Sequence, residues 1–263
     1  MPTAVLTVVA LCRREILKFI RDRSRVAGAL VQPLAFWLLL GLGFQGAFQM
    51  PDAPLGSVGY VEFLFPGVLA LVLLFTAIFS TISIVDERDS GFLQTVLIAP
   101  TPRSAIVLGN ALGGTLLASM QALLFVVVWP WVGPGLTLGG VAYIVLICLG
   151  TGIGFTALGC AIAWRTDTTR GFHAIMNLFL LPLWFLSSAM FPLDSAATGL
   201  RELMLINPVS YAVSGLRHGL YVDAPATLAD PVTCLVVTWG FALVMIGAAV
   251  WSVRQSLFRT AAA

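Results

Sequence analysis

Side chains able to do acid–base, nucleophilic or metal chemistry are few and scattered in this chain of 263 residues. The two histidines, His173 and His218, have no His or Cys neighbour at ligand spacing. Cys12, Cys148, Cys160 and Cys234 form no CxxC pair, and the last three lie in or beside long apolar runs, where free Cys acts as a small hydrophobe. A phosphate-binding GxxxxGK(S/T) loop needs a lysine to reach the β- and γ-phosphates. Lys18 is the one lysine, and it sits in a basic segment with no glycine loop around it. No ATP hydrolysis, bound metal or cofactor is therefore expected of this chain. What remains is a charged connection, Asp86-Glu87-Arg88-Asp89, followed by Gly91, an apolar stripe of Phe92, Leu93, Val96 and Leu97, and the stops Pro100 and Pro102 before Arg103. A charged cap on a short helix with one apolar side suits docking rather than catalysis. The same residues would also make a rigid hairpin between two spans.

The surroundings of that segment are set by composition. Hydrophobic residues make up 59% and charged residues 10%, and the mean hydropathy is +0.98. A soluble domain runs nearer 45–50% apolar and about 25% charged, so this chain is expected to be an all-α integral membrane protein. Its formal net charge of +2 is too small for the basic footprint that nucleic acid requires. The opening segment does not read as a cleavable signal, because its basic residues, Arg13 to Arg25, follow a mixed stretch with no small-residue cleavage site after the apolar run.

A bilayer crossing takes roughly 20 apolar residues. Charge-free stretches of that length run over 26–48, 63–85, 106–128, 138–163, 172–191 and 232–253. The third and fourth come from one uncharged run divided at Trp129-Pro130-Trp131-Val132-Gly133-Pro134-Gly135, with two prolines and a pair of tryptophans expected at the interface. Six spans in a single transmembrane domain over 1–263 follow. Twelve of the 14 basic residues lie on one side: Arg13, Arg14, Lys18, Arg21, Arg23, Arg25, Arg88, Arg103, Arg165, Arg170, Arg254 and Arg259. Arg201 and Arg217 lie on the other. The positive-inside rule puts both termini in the cytoplasm.

Two pieces do not span. In 4–25, Val5, Val8, Val9, Cys12, Ile16, Phe19 and Ile20 share one helical face and Arg14, Lys18, Arg21 and Arg25 the other. That is an amphipathic interface helix beside anionic lipid, or else merely a basic topology signal. The external loop 194–230 is too apolar for a simple connector; it is expected to hold one short helix ending before Asn207-Pro208 and another over 209–221, both on or dipping into the outer leaflet. No Asp, Glu, Lys or Arg falls inside a span. This argues against an ion-coupled carrier and against a membrane-embedded hydrolase, which needs a positioned acid, base or metal ligand.

The 86–103 run resembles the acidic-Arg-acidic-x-Gly-x-Leu…Pro-x-x-Arg signature of ABC-2 type permeases, the membrane subunits of ABC exporters. Three further matches follow in order and look like the drug-resistance and nodulation-factor exporter branch: Tyr60-x-x-Phe63-x-x-Pro66-Gly67, Phe185-Leu186-Ser187-Ser188-Ala189-Met190-Phe191-Pro192, and Asn207-Pro208-Val209-Ser210-Tyr211 with Leu216-Arg217. Asp89, Phe92, Asn110 and Ser188 depart from the residues usual at their places. The resemblance implies a permease subunit in a bacterial inner membrane: two copies forming the pathway, and two separate ABC ATPase subunits that bind the ATP. It implies that 86–100 is the main coupling helix, with Glu87, Arg88, Asp89, Gly91, Phe92, Leu93, Val96, Pro100 and Arg103 at the docking contact and Arg165 and Arg170 in a second, smaller one. Asn207, Pro208, Tyr211 and Arg217 would form the outer-loop motif. The cargo implied is a hydrophobic or amphiphilic drug or a lipid-linked saccharide. Phe75, Phe79, Trp184 and Phe185 are pathway candidates that could equally face lipid. A scaffold that binds an ATPase without transporting stays open at this point.

Overall fold

In the computed structural model the described residues are 8–10, 12–14, 16–17, 21, 23–44, 59–89, 103–193, 196–224 and 226–261. Among them the chain is helical and without strands. The helices are α1 (Arg23–Phe44), α2 (Tyr60–Ser80), α3 (Ile82–Asp89), α4 (Arg103–Val126), α5 (Leu138–Ala163), α6 (Thr169–Phe185), α7 (Thr198–Ile206), α8 (Pro208–Leu220) and α9 (Pro231–Ala261). Among the described residues four stretches are long and apolar enough to cross a membrane: Tyr60–Arg88, Leu108–Trp131, Leu138–Ala163 and Pro231–Val253. The described residues between Val8 and Arg21 are also helical.

Local chemistry sets the starts. Thr137 caps α5 by accepting from the Gly140 amide at 3.0 Å, and Thr168 caps α6 by accepting from Gly171 at 3.1 Å. Asp230 caps α9 by accepting from the Val232 and Thr233 amides, each at 3.1 Å. The expected break between α4 and α5 is a 3-10 turn at Trp129–Trp131. Its tryptophans do not form an interfacial pair. Trp131 is exposed, whereas Trp129 is fully buried, its ring 5.0 Å from those of Phe65 and Tyr221. Gly133 is needed beside it, since a Cβ there would come within 2.3 Å of the indole. The apolar stretch expected over 172–191 is helical as far as Phe185. There the Ser187 hydroxyl donates to Trp184 O and accepts from the Ala189 amide, which turns the chain.

α2 is the central element, buried along most of its length and touching α1, α4, α5, α6 and α8. Apolar area cannot drive helices together inside lipid, so small residues and polar contacts must let them close. Gly114 of α4 faces Ser80 and Thr156 with no room for a Cβ, and Gly152 of α5 faces Thr115. Thr76 of α2 donates to the Gln121 side chain of α4. Gly150 and Gly154 seat α9 on α5 through Thr238, Trp239 and Phe241, so that pair of small residues serves packing within the chain.

Candidate functional site

Charged and polar side chains gather at the two ends of the Tyr60–Arg88 stretch. At its far end Ser80, Thr81 and Ser83 donate their hydroxyls to Ala77 O, Ile78 O and Ser80 O, at 2.7, 2.7 and 3.0 Å. Such back-bonding competes with the helical ladder, and the helix tightens for one residue at Thr81, whose amide bonds Ile78 O at 3.0 Å, before α3. This joint carries the charged cap. Glu87 forms an ion pair with Arg14 at 2.8 Å, half-buried on both sides. Arg88 donates to the carbonyl of Thr166, in the turn between α5 and α6. One residue back, Arg165 lies 4.8 Å over the ring of Trp251 in α9, a cation–π contact. Three of the residues proposed for docking are thus anchored within the chain: Glu87, Arg88 and Arg165. Asp89 ends α3, Arg103 begins α4 and Arg170 is exposed in the first turn of α6. Gly91, Phe92, Leu93, Val96 and Pro100 lie outside the described residues.

At the other end, three motifs that are far apart in sequence converge. Pro66 has no N–H, so the carbonyl of Glu62 loses its intrahelical donor. The Tyr221 hydroxyl supplies one at 3.1 Å. Trp37 donates to Val61 O at 2.7 Å and Trp184 to Gly67 O at 2.8 Å. Gly67 itself is required by close approach, because a Cβ there would lie 2.7 Å from Ala189 O. Asn207 accepts from the Val209 amide at 2.9 Å to cap α8, while its Nδ2 donates to Leu183 O at 2.6 Å and Leu186 O at 3.0 Å. Pro208 fills the first helical position, where a missing N–H costs nothing. Tyr211 donates to Leu205 O at 2.9 Å, tying α8 to α7.

Arg217 is the centre of this cluster and is 1% exposed. Its guanidinium donates to Ala226 O and Ser188 O, each at 2.7 Å, and lies 4.4 Å over the Phe63 ring. Burial pushes it down to about 10, with Tyr221 pulling the other way, so it stays charged at neutral pH. Carbonyl dipoles and an aromatic face take the place of a carboxylate, and a planar fork reaches two segments at once. α8 lies deep: Gly219 packs on Ile144 and Gly215 on Ile147, alongside the early turns of α5.

Of the pathway candidates, Trp184 is fully buried, its ring 5.7 Å from Phe36, and Phe185 is exposed beside it. Phe75 and Phe79 are partly buried, the latter with its ring 5.1 Å from that of His173. Among the described residues no three His, Cys, Asp or Glu side chains are grouped to hold a metal ion. The partners of these residues escaped the sequence reading. Tyr221 could have been found from Pro66, since a proline inside a buried helix leaves a carbonyl to be satisfied; Thr166 acts through its backbone and had no such signal.

A family model described as ABC-2 type transporter matches residues 7–221. The chain is 27% identical over 237 residues to a Porphyra purpurea protein named as a transport permease, ycf38, with 89% of this chain and 79% of that one covered. It is 23% identical over 206 residues to the multidrug ABC transporter permease YbhR of Escherichia coli K12, covering 77% and 54%. Nodulation protein J of Rhizobium leguminosarum bv. viciae is 23% identical over 243 residues, covering 88% and 86%.

Proposed function

Because this chain belongs to the ABC-2 type transporter family, we propose that it is the permease subunit of an ATP-driven exporter, energised by separate ATPase subunits docked at the 86–100 segment. The family makes it a multi-pass membrane transport permease rather than an ATPase. The finer reading has six spans, with α1 and α6 added to the four long apolar stretches, cytoplasmic termini in a bacterial inner membrane, and the N-terminal segment at the inner interface. The observation that carries the coupling is the wiring of the charged cap. Through Arg14–Glu87 and Arg88–Thr166 O, displacement of the 86–100 segment is handed to the N-terminal helix and to the α5–α6 turn together. ATP-driven closure of the ATPases then tilts the spans about the Ser80–Ser83 joint.

Two copies complete the pathway in this reading. α6 carries exposed His173 and Asn177 among exposed Leu178, Phe179 and Phe185. Lipid cannot satisfy the polar pair, and a second protein surface can. The second copy is proposed on α6 and the neighbouring α1. The cargo is a hydrophobic or amphiphilic drug or a lipid-linked saccharide, which the multidrug name of one relative and the nodulation-factor branch resemblance support.

The test is ATP hydrolysis by the purified chain and by its complex with the cognate ATPase. The lone chain is expected to show background activity and the complex robust turnover. Robust hydrolysis by the lone chain would overturn the subunit reading.

A further inference from the structure

α5 and α9 lie side by side in one register. Near the start of both helices the Tyr143 hydroxyl donates to Pro231 O at 2.6 Å. Further along, Gly150 meets Thr238 and Gly154 meets Ala242, each pair, like Tyr143 and Pro231, 88 residues apart. The rings of Phe155 and Phe241 lie 5.0 Å from one another at the same level. The last contact of the series is Arg165, with its guanidinium over the ring of Trp251. Glycines that let one helix seat closely on the other, with a polar or cationic tie toward each end, resist sliding of α9 along α5.

Trp251 stands outside the apolar packing. It is 54% exposed, whereas Ala249 and Val253 on either side of it are buried in the core. Arg165 is exposed too, and the next residue is Thr166, whose carbonyl accepts from Arg88. The turn between α5 and α6 is therefore tied to the charged cap of α3 through Thr166 and to α9 through Arg165. We propose that Trp251 is a positioning residue for coupling: by seating Arg165 it makes α9 follow the α5–α6 turn, so that displacement entering through Arg88 carries α5 and α9 as one body. The inference rests on the reading of 86–100 as the docking segment. An aromatic face gives the cation a fixed seat without placing a second charge at the end of an apolar helix.

The test uses the chain in complex with its cognate ATPase in lipid nanodiscs, without nucleotide and with ATP plus vanadate, which holds the ATPases closed. Asp167→Cys reports on the turn and Gln255→Cys on α9, about one helical turn beyond Trp251; both positions are exposed. The rate of labelling by a maleimide is taken by difference from the chain without the added cysteine. With Trp251 in place, ATP plus vanadate is expected to change the rate at both positions. Trp251→Leu keeps apolar bulk and removes the π face, and is expected to keep the change at 167 and lose the change at 255. Trp251→Phe is expected to restore it. Should Trp251→Leu insert poorly, Arg165→Gln removes the same contact from the other side and is expected to lose the change at 255 while 167 still responds. Three results overturn the proposal: no response at 255 with Trp251 in place, a response at 255 that survives Trp251→Leu, or a Trp251→Phe chain no better than Trp251→Leu. An ATPase that fails to co-purify with the chain carrying Trp251 overturns the docking reading itself, and the proposal with it.

Discussion

At the scale of single residues, the cluster around Arg217 depends on carbonyls that helices leave over. Pro66 orphans Glu62 O, and Tyr221 answers with a hydroxyl whose ring is held against Trp129. Tyr221→Phe keeps the ring and deletes the bond, so it should destabilise the chain by about 1–3 kcal/mol, the usual cost of an unsatisfied buried polar group. Pro66→Ala restores an N–H to the helix and should remove most of that penalty. Thermal unfolding in detergent of the two single variants and the double variant measures the coupling. An equal cost of Tyr221→Phe in both backgrounds would show that the proline has no part in it. Arg217 follows the same logic at higher stakes, because one buried guanidinium satisfies the carbonyls of two separate segments, at Ser188 and Ala226. The motif residues Asn207, Pro208 and Arg217 were recognisable from their types and order. Their partners, Leu183 O, Ser188 O and Ala226 O, are backbone atoms, and no residue identity advertises them.

At the scale of elements, the charged cap of α3 shows what spacing reveals and what it hides. Asp86 to Asp89 stands out in the sequence because it is a dense charge run between two apolar stretches. That Glu87 pairs with Arg14 could not be read, since it depends on the N-terminal helix folding back on the bundle. Similarly, the bounds of α5 follow from an apolar run held between Pro134-Gly135 and Arg165. The early end of α6 does not, because it is set by Ser187 bonding its own backbone inside a run that is apolar throughout. The burial of Trp129 was hidden for a related reason: a Trp-Pro-Trp sequence looks interfacial until Tyr221 and Gly133 are brought beside it. The Arg14–Glu87 pair can be tested by exchange. Glu87→Arg alone should lower thermal stability, and Arg14→Glu with Glu87→Arg should recover about 1 kcal/mol of it, the upper end for a partly exposed pair. A double variant no better than the single one would argue that the pair holds nothing in place.

At the scale of the whole molecule, orientation and coupling are the remaining consequences. On the proposed six-span topology the basic residues divide twelve to two between the sides, so a cysteine at Asp52 or Thr198 should react with an impermeant reagent from outside intact cells. One at Arg103 or Thr168 should react only after permeabilisation, and the opposite pattern would reverse the molecule. The central claim is that force from an ATPase enters at 86–100, and Phe92→Asp tests it most directly. Phe92 lies outside every expected span, so insertion should be unchanged. A carboxylate forced into an apolar docking groove costs several kcal/mol, and 1.4 kcal/mol is already tenfold in an equilibrium. The measurement is co-purification of the cognate ATPase with membrane-inserted wild-type and Phe92→Asp chains, together with drug efflux from the same cells. The account predicts that the wild type retains the ATPase and that Phe92→Asp loses both the ATPase and efflux. ATPase retention and efflux equal to wild type in Phe92→Asp would contradict it and leave 86–100 as a hairpin.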